Sequence, residues 1–215
     1  MESTGTRGRS AAAAIAALVF VTIAAQLTLN IAAAPAKGVP LWRVPIDLYG
    51  YFTIWSNTLV ALVTWRFARG NAQGLLGRPS VQASTVVYII VVGVIYNTLL
   101  VQYNPQTGVR LLIDTIFHTI VPIAYPLWWL AFVPRGRLDW TALAPAVIFP
   151  VVYGLFALAK GAMTGKYAYF FINVGKYGMP QVLLNIAALG VLYAALMALV
   201  IALDRWVHRR RGATA

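Results

Sequence analysis

Asp114 and His118 stand four residues apart in a stretch otherwise built from apolar, aromatic and hydroxyl side chains. On a helix that spacing puts both on one face, with Thr115 and Thr119 beside them. Pro122 and Pro126 follow and would bend the same helix. Thr53 and Asn57 repeat the i, i+4 spacing in an earlier apolar stretch, while Asn97 and Asn185 are lone amides in two others. A hydroxyl opposed by a histidine is the pattern of nucleophilic catalysis. The imidazole takes the hydroxyl proton as the oxygen attacks an acyl carbonyl. Asn57 or Asn97 could then donate a hydrogen bond to the resulting oxyanion. Asp114 has two readings, as the group that orients and stabilises His118 or as a simple ion pair with Arg110. Thr58, Thr64 and Thr119 compete with Thr53 for the hydroxyl role. Asn97 and Asn185 read equally well as amides that bridge helices through hydrogen bonds.

The elements that must position these residues are set by composition. The chain has 215 residues, 60% hydrophobic and 10% charged, with a mean hydropathy of +0.75. A soluble domain needs about a quarter charged residues to wet its surface. The apolar residues fall in blocks near the length that spans a hydrocarbon core of ~30 Å. These blocks are 11–34, 48–68, 83–103, 111–132, 138–159 and 182–203. None alternates with period two over the ~10 residues of a barrel strand. The fold class expected is therefore all-α, a single polytopic bundle of six transmembrane helices over residues 1–215. The first block has a second reading as a signal peptide, since Arg7 and Arg9 precede it and Ala32-Ala33-Ala34 ends it. Its length, with Gln26 and Asn30 near its end, favours a retained helix.

Basic residues orient the bundle. One set of connecting segments holds Arg7, Arg9, Arg66, Arg69, Arg78, Arg135, Arg137, Arg205, Arg209, Arg210 and Arg211; the other holds Lys37, Arg43, Arg110, Lys160, Lys166 and Lys176. Eleven against six places both termini in the cytoplasm by the positive-inside rule. Thr53, Asn97 and His118 then lie ~8, ~9 and ~10 Å below the outer ends of their helices, at 1.5 Å per residue. Asn185 opens the last helix on that side. The intramembrane polar groups of four helices thus share one layer of the outer leaflet.

Several chemistries are excluded. The net charge of +12 is scattered between apolar blocks, so it forms no basic stripe for nucleic acid. Cysteine is absent, which removes disulfides, thiolates and thiolate metal sites. No phosphate-binding glycine loop or HExxH motif occurs, and no acidic cluster suits a metal. No lysine lies in the middle of a block and no arginine ladder is present. No cofactor is expected; the partners are the bilayer and a lipid substrate, with the oligomeric state open.

The same residues carry a family resemblance. Gly50-Tyr51-Phe52-Thr53-Ile54 with Asn57, the stretch Phe117-His118-Thr119-Ile120-Val121-Pro122, and the aromatic segment Gly165–Phe171 resemble the androgen-induced membrane protein family. The likeness covers residues 48–190 and looks closest to that family's bacterial branch. Phe170 stands where the family's aromatic segment has proline. The resemblance implies a six-helix membrane protein that hydrolyses fatty acid esters of hydroxy fatty acids. It maps the family's threonine nucleophile onto Thr53 and its histidine onto His118.

The leading expectation is an intramembrane lipid-ester hydrolase with Thr53 as nucleophile, His118 as base and Asp114, Asn57, Asn97 and Asn185 in support. The competing readings are a transporter or channel that uses the same polar layer, with His118 and Asp114 coupling protons, and a membrane scaffold without chemistry.

Overall fold

The computed structural model describes residues 2–71, 73–103 and 105–212; the Arg211 side chain, counted above, lies outside them. The chain is all-α, 85% helical, with no strand among the described residues. Helix α1 spans Glu2–Ala33, the short α2 Arg43–Leu48 and α3 Phe52–Ala68. Helix α4 covers Pro79–Tyr103 and α5 Gly108–Phe132. Helix α6 is Leu143–Thr164, and α7 is Val174–Gly212 with a break at Gly178. Among the described residues five helices are long and apolar enough to cross a membrane, namely α1, α4, α5, α6 and α7.

The second apolar block begins four residues later than the hydropathy indicates. Leu48 ends α2, and Gly50-Tyr51 turns the chain, leaving 17 residues for α3. Helix α3 is nonetheless packed inside the bundle, against α1 and α4. Ser56, Asn57, Val60, Ala61 and Thr64 are fully buried, which explains why its apolar and polar residues show no stripe. The chain ends share one end of the bundle. Trp128 of α5 donates to the Gly8 carbonyl at 3.0 Å, Arg9 lies against Gly70 after α3, and Asp204 of α7 accepts from the Gly136 amide at 2.9 Å. Thr53 and His118 therefore sit toward the opposite end.

Two glycines allow close approach between elements. A Cβ on Gly93 would stand 2.7 Å from Pro122 Cβ, and one on Gly161 would stand 2.2 Å from the Tyr167 ring. The first lets α4 and α5 touch beside His118. The second seats the loop between α6 and α7 against the bundle.

Candidate active site

Two helices depart from α geometry at the same level. Tyr96–Leu100 of α4 and Ile116–Ile120 of α5 each form a π-helical turn. Such insertions concentrate at functional sites because the extra residue re-aims a side chain and frees a carbonyl. In α5 the Val121 amide reaches back to the Ile116 carbonyl, so the Phe117 carbonyl loses its usual donor. The His118 carbonyl loses its own too, since position 122 is proline and has no N–H. Asparagines replace both donors. Asn57 Nδ2 donates to the Phe117 carbonyl at 3.4 Å and to the Thr53 carbonyl at 2.9 Å. Asn97 Nδ2 donates to the His118 carbonyl at 2.8 Å and to the Gly93 carbonyl at 2.8 Å. The amide hydrogens expected to serve an oxyanion are thus committed to pinning the turn that carries His118.

His118 is held on every side. Its Nδ1 is 3.1 Å from Asp114 Oδ1 and 3.0 Å from the Asp114 carbonyl oxygen. Both partners only accept, so Nδ1 carries the proton and Nε2 presents a lone pair. That nitrogen lies 3.2 Å from Thr53 Oγ1, so the Thr53 hydroxyl donates to it. The side chains of His118 and Asp114 are 11% and 17% exposed, which strengthens both contacts by keeping bulk water off them. Tyr96 stacks on the imidazole with ring centres 3.5 Å apart and planes 11° from parallel. Arg110 does not pair with Asp114. Its guanidinium donates to Asn30 Oδ1 at 3.2 Å and to the Leu29 carbonyl at 3.3 Å, which ties α5 to α1 and leaves Asp114 to the histidine.

Thr53 is fixed by its neighbour. Phe52 is buried among Tyr88, Phe149, Tyr153 and Tyr193, with ring centres 5.1 to 6.1 Å away. The Tyr153 hydroxyl donates to the Gly50 carbonyl at 2.8 Å. The Phe52 amide, first of α3, donates to the Tyr169 hydroxyl oxygen at 3.0 Å. Tyr169 lines the same space as Thr53, and burial raises its pKa, so it stays a neutral hydroxyl on that side of the site. Asn185 stands apart from this cluster. It donates to the Phe171 carbonyl at 2.7 Å and accepts from Gln181 at 3.0 Å, holding the aromatic loop from the α7 side.

The site opens into a vestibule of about 800 Å³, within the range that holds a drug-sized or lipid ligand. Lys37, Arg110, Lys160 and Lys166 line it together with Asp47 and Asp114, a surplus of two positive charges. Lys160 pairs with Asp47 at 2.9 Å, which Arg43 also holds at 3.2 Å.

Tyr96, Tyr169 and Lys160 were not legible as site residues. Tyr96 reads as an interfacial aromatic near a helix end, and only its place beside Asn97 hints at more. Tyr169 lies inside the aromatic segment Gly165–Phe171, yet nothing in the sequence says that its hydroxyl returns to α3.

No family model matches the chain, and no curated protein or solved structure is significantly similar to it.

Proposed function

We propose that the chain is an intramembrane hydrolase of lipid esters, with Thr53 as nucleophile, His118 as general base and Asp114 as the group that orients the imidazole. The observation that carries this reading is the continuous contact from Asp114 to His118 Nδ1 and from Nε2 to Thr53 Oγ1 at 3.2 Å. The Oγ1–carbon bond forms as Nε2 takes the hydroxyl proton. Asp114 stabilises the imidazolium, and the positive end of α3 favours the negative charge that develops beside Thr53. Tyr169 replaces the two asparagines as the side-chain donor toward the oxyanion. The ester C–O bond then breaks, and the imidazolium proton leaves with the alcohol. Water, deprotonated by the same nitrogen, releases the acid from Thr53.

On this reading α3 is the sixth span. Its 17 residues reach ~26 Å at 1.5 Å per residue, and they link the site end to the end that carries the termini. The basic residues then set both termini in the cytoplasm, consistent with a bacterial cytoplasmic membrane. The three sequence segments around Thr53, His118 and Tyr169 come together in one place, as membership of the bacterial branch of the androgen-induced membrane protein family would require. Transport is favoured less. Beyond the site Asn57, Val60, Ala61 and Thr64 are 0% exposed, so no opening runs along α3 from the vestibule toward the other end of the bundle.

A fluorophosphonate probe applied to the purified protein in detergent should label Thr53. Thr53→Ala and His118→Ala should each abolish labelling. Labelling that survives both substitutions would rule out the mechanism.

A further inference from the structure

Thr53 borders a second space besides the vestibule. An apolar slot runs between α4, α6 and α7, walled by Val91, Val147, Val151 and Leu189. Two glycines complete it, Gly154 on α6 and Gly190 on α7. A Cβ at either would meet no atom within 4 Å. Gly93 and Gly161 behave in the opposite way, since a Cβ there would collide at 2.7 and 2.2 Å. Close packing therefore accounts for Gly93 and Gly161 but not for Gly154 and Gly190, whose missing side chains set the width of the slot.

The slot is also open sideways. Val151 lines it yet is 41% exposed on the apolar flank of the bundle. Its free volume is about 90 Å³, room for roughly three water-sized groups. That holds a short length of a single chain, in contrast to the broad vestibule with charged residues in its lining on the other side of Thr53.

We infer that this slot binds one acyl chain of the substrate. The chain enters from the bilayer flank, passes Gly154 and Gly190, and brings its ester carbonyl to Thr53 while the polar remainder of the molecule lies in the vestibule. The assignment of the ester rests on the hydrolase reading above. An apolar chain gains little by leaving lipid for an apolar slot, because lipid tails are as apolar as leucine. The slot therefore acts by orientation, and obstructing it should reduce kcat/KM for long chains.

Gly190→Leu and Gly154→Leu place a side chain in the open space, and the two alanine variants control for folding. For each, hydrolysis of p-nitrophenyl palmitate is compared with that of p-nitrophenyl acetate. The leucine variants should lose about tenfold or more in kcat/KM on palmitate and change by less than about twofold on acetate, which need not thread the slot. In parallel, a diazirine-bearing palmitamide, which contains no ester, is photo-crosslinked to the full chain. It should mark the peptides around Val151 and Leu189 in the unsubstituted protein and lose those crosslinks in Gly190→Leu. Crosslinks at those peptides without any esterase activity would uphold the acyl site and reject the hydrolase reading. An unchanged palmitate-to-acetate ratio in an active enzyme, or crosslinks absent or elsewhere, would overturn the slot.

Discussion

Replacing Asn97 with leucine should orphan the His118 carbonyl. Of the two carbonyls that Asn97 serves, Gly93 keeps a second donor in the Tyr96 amide. His118 keeps none within its helix, because residue 122 is proline. A carbonyl left without a donor costs ~1–3 kcal/mol where it is fully buried, but the Asn97 contact is exposed, and hydrogen bonds between membrane helices average ~0.6 kcal/mol with a ceiling near ~1.7. The expected loss is therefore about 1 kcal/mol. Pro122→Ala tests the cause, since it returns an N–H four residues after His118. In the Asn97→Leu background it should recover about 1 kcal/mol more than it gains in the parent protein. Reversible unfolding in mixed micelles, run on the parent, both single variants and the double variant, gives the coupling directly. Fluorophosphonate labelling of Thr53 should slow in Asn97→Leu and recover with it. Additivity within ~0.3–0.5 kcal/mol would show that Asn97 does not stand in for the donor that Pro122 removes.

Tyr96→Phe keeps the stack on His118 and removes only a hydroxyl, so labelling of Thr53 should slow less than in Tyr96→Leu, which loses a stack worth ~0.5–1.5 kcal/mol. Equal rates for the two variants would refute a positioning role for the ring. At the other end, Asp204→Ala removes the acceptor of the Gly136 and Leu138 amides and the partner of buried Arg135. It should cost about 3 kcal/mol or more, read as a drop in melting temperature in detergent; a loss below ~1 kcal/mol would mean the latch is not needed. Gly161→Ala should cost ~1–3 kcal/mol through its collision with Tyr167, whereas Gly154→Ala, beside open space, should leave the melting temperature at or above that of the parent.

The span-forming blocks are legible because hydropathy is a property of each stretch on its own. The start of α3 is not, since Leu48 and Tyr49 are as apolar as a helix end and only Gly50 marks the turn. The i, i+4 spacing sets Asp114 on the face of His118, which it contacts, and shared depth sets Thr53, His118 and Asn97 at one level, where His118 meets the other two. It fails for Asn185, because depth fixes a level and says nothing of azimuth; that side chain serves the aromatic loop instead.

The contacts of Asn97 agree with the helix-bridging role open to it beside the oxyanion role, and Asn57 bridges in the same way. A free amide in a membrane helix looks like a donor waiting for a ligand, and a π-helical turn leaves no mark in local composition. Pro122 was the available clue. A proline inside a membrane helix withdraws the donor for the carbonyl four residues before it, here that of His118, so a donor must come from another helix at that level. Asn97 lies there, and Gly93 beside it allows the approach. The proline read as a kink is therefore one part of a three-residue device that turns His118 toward Thr53.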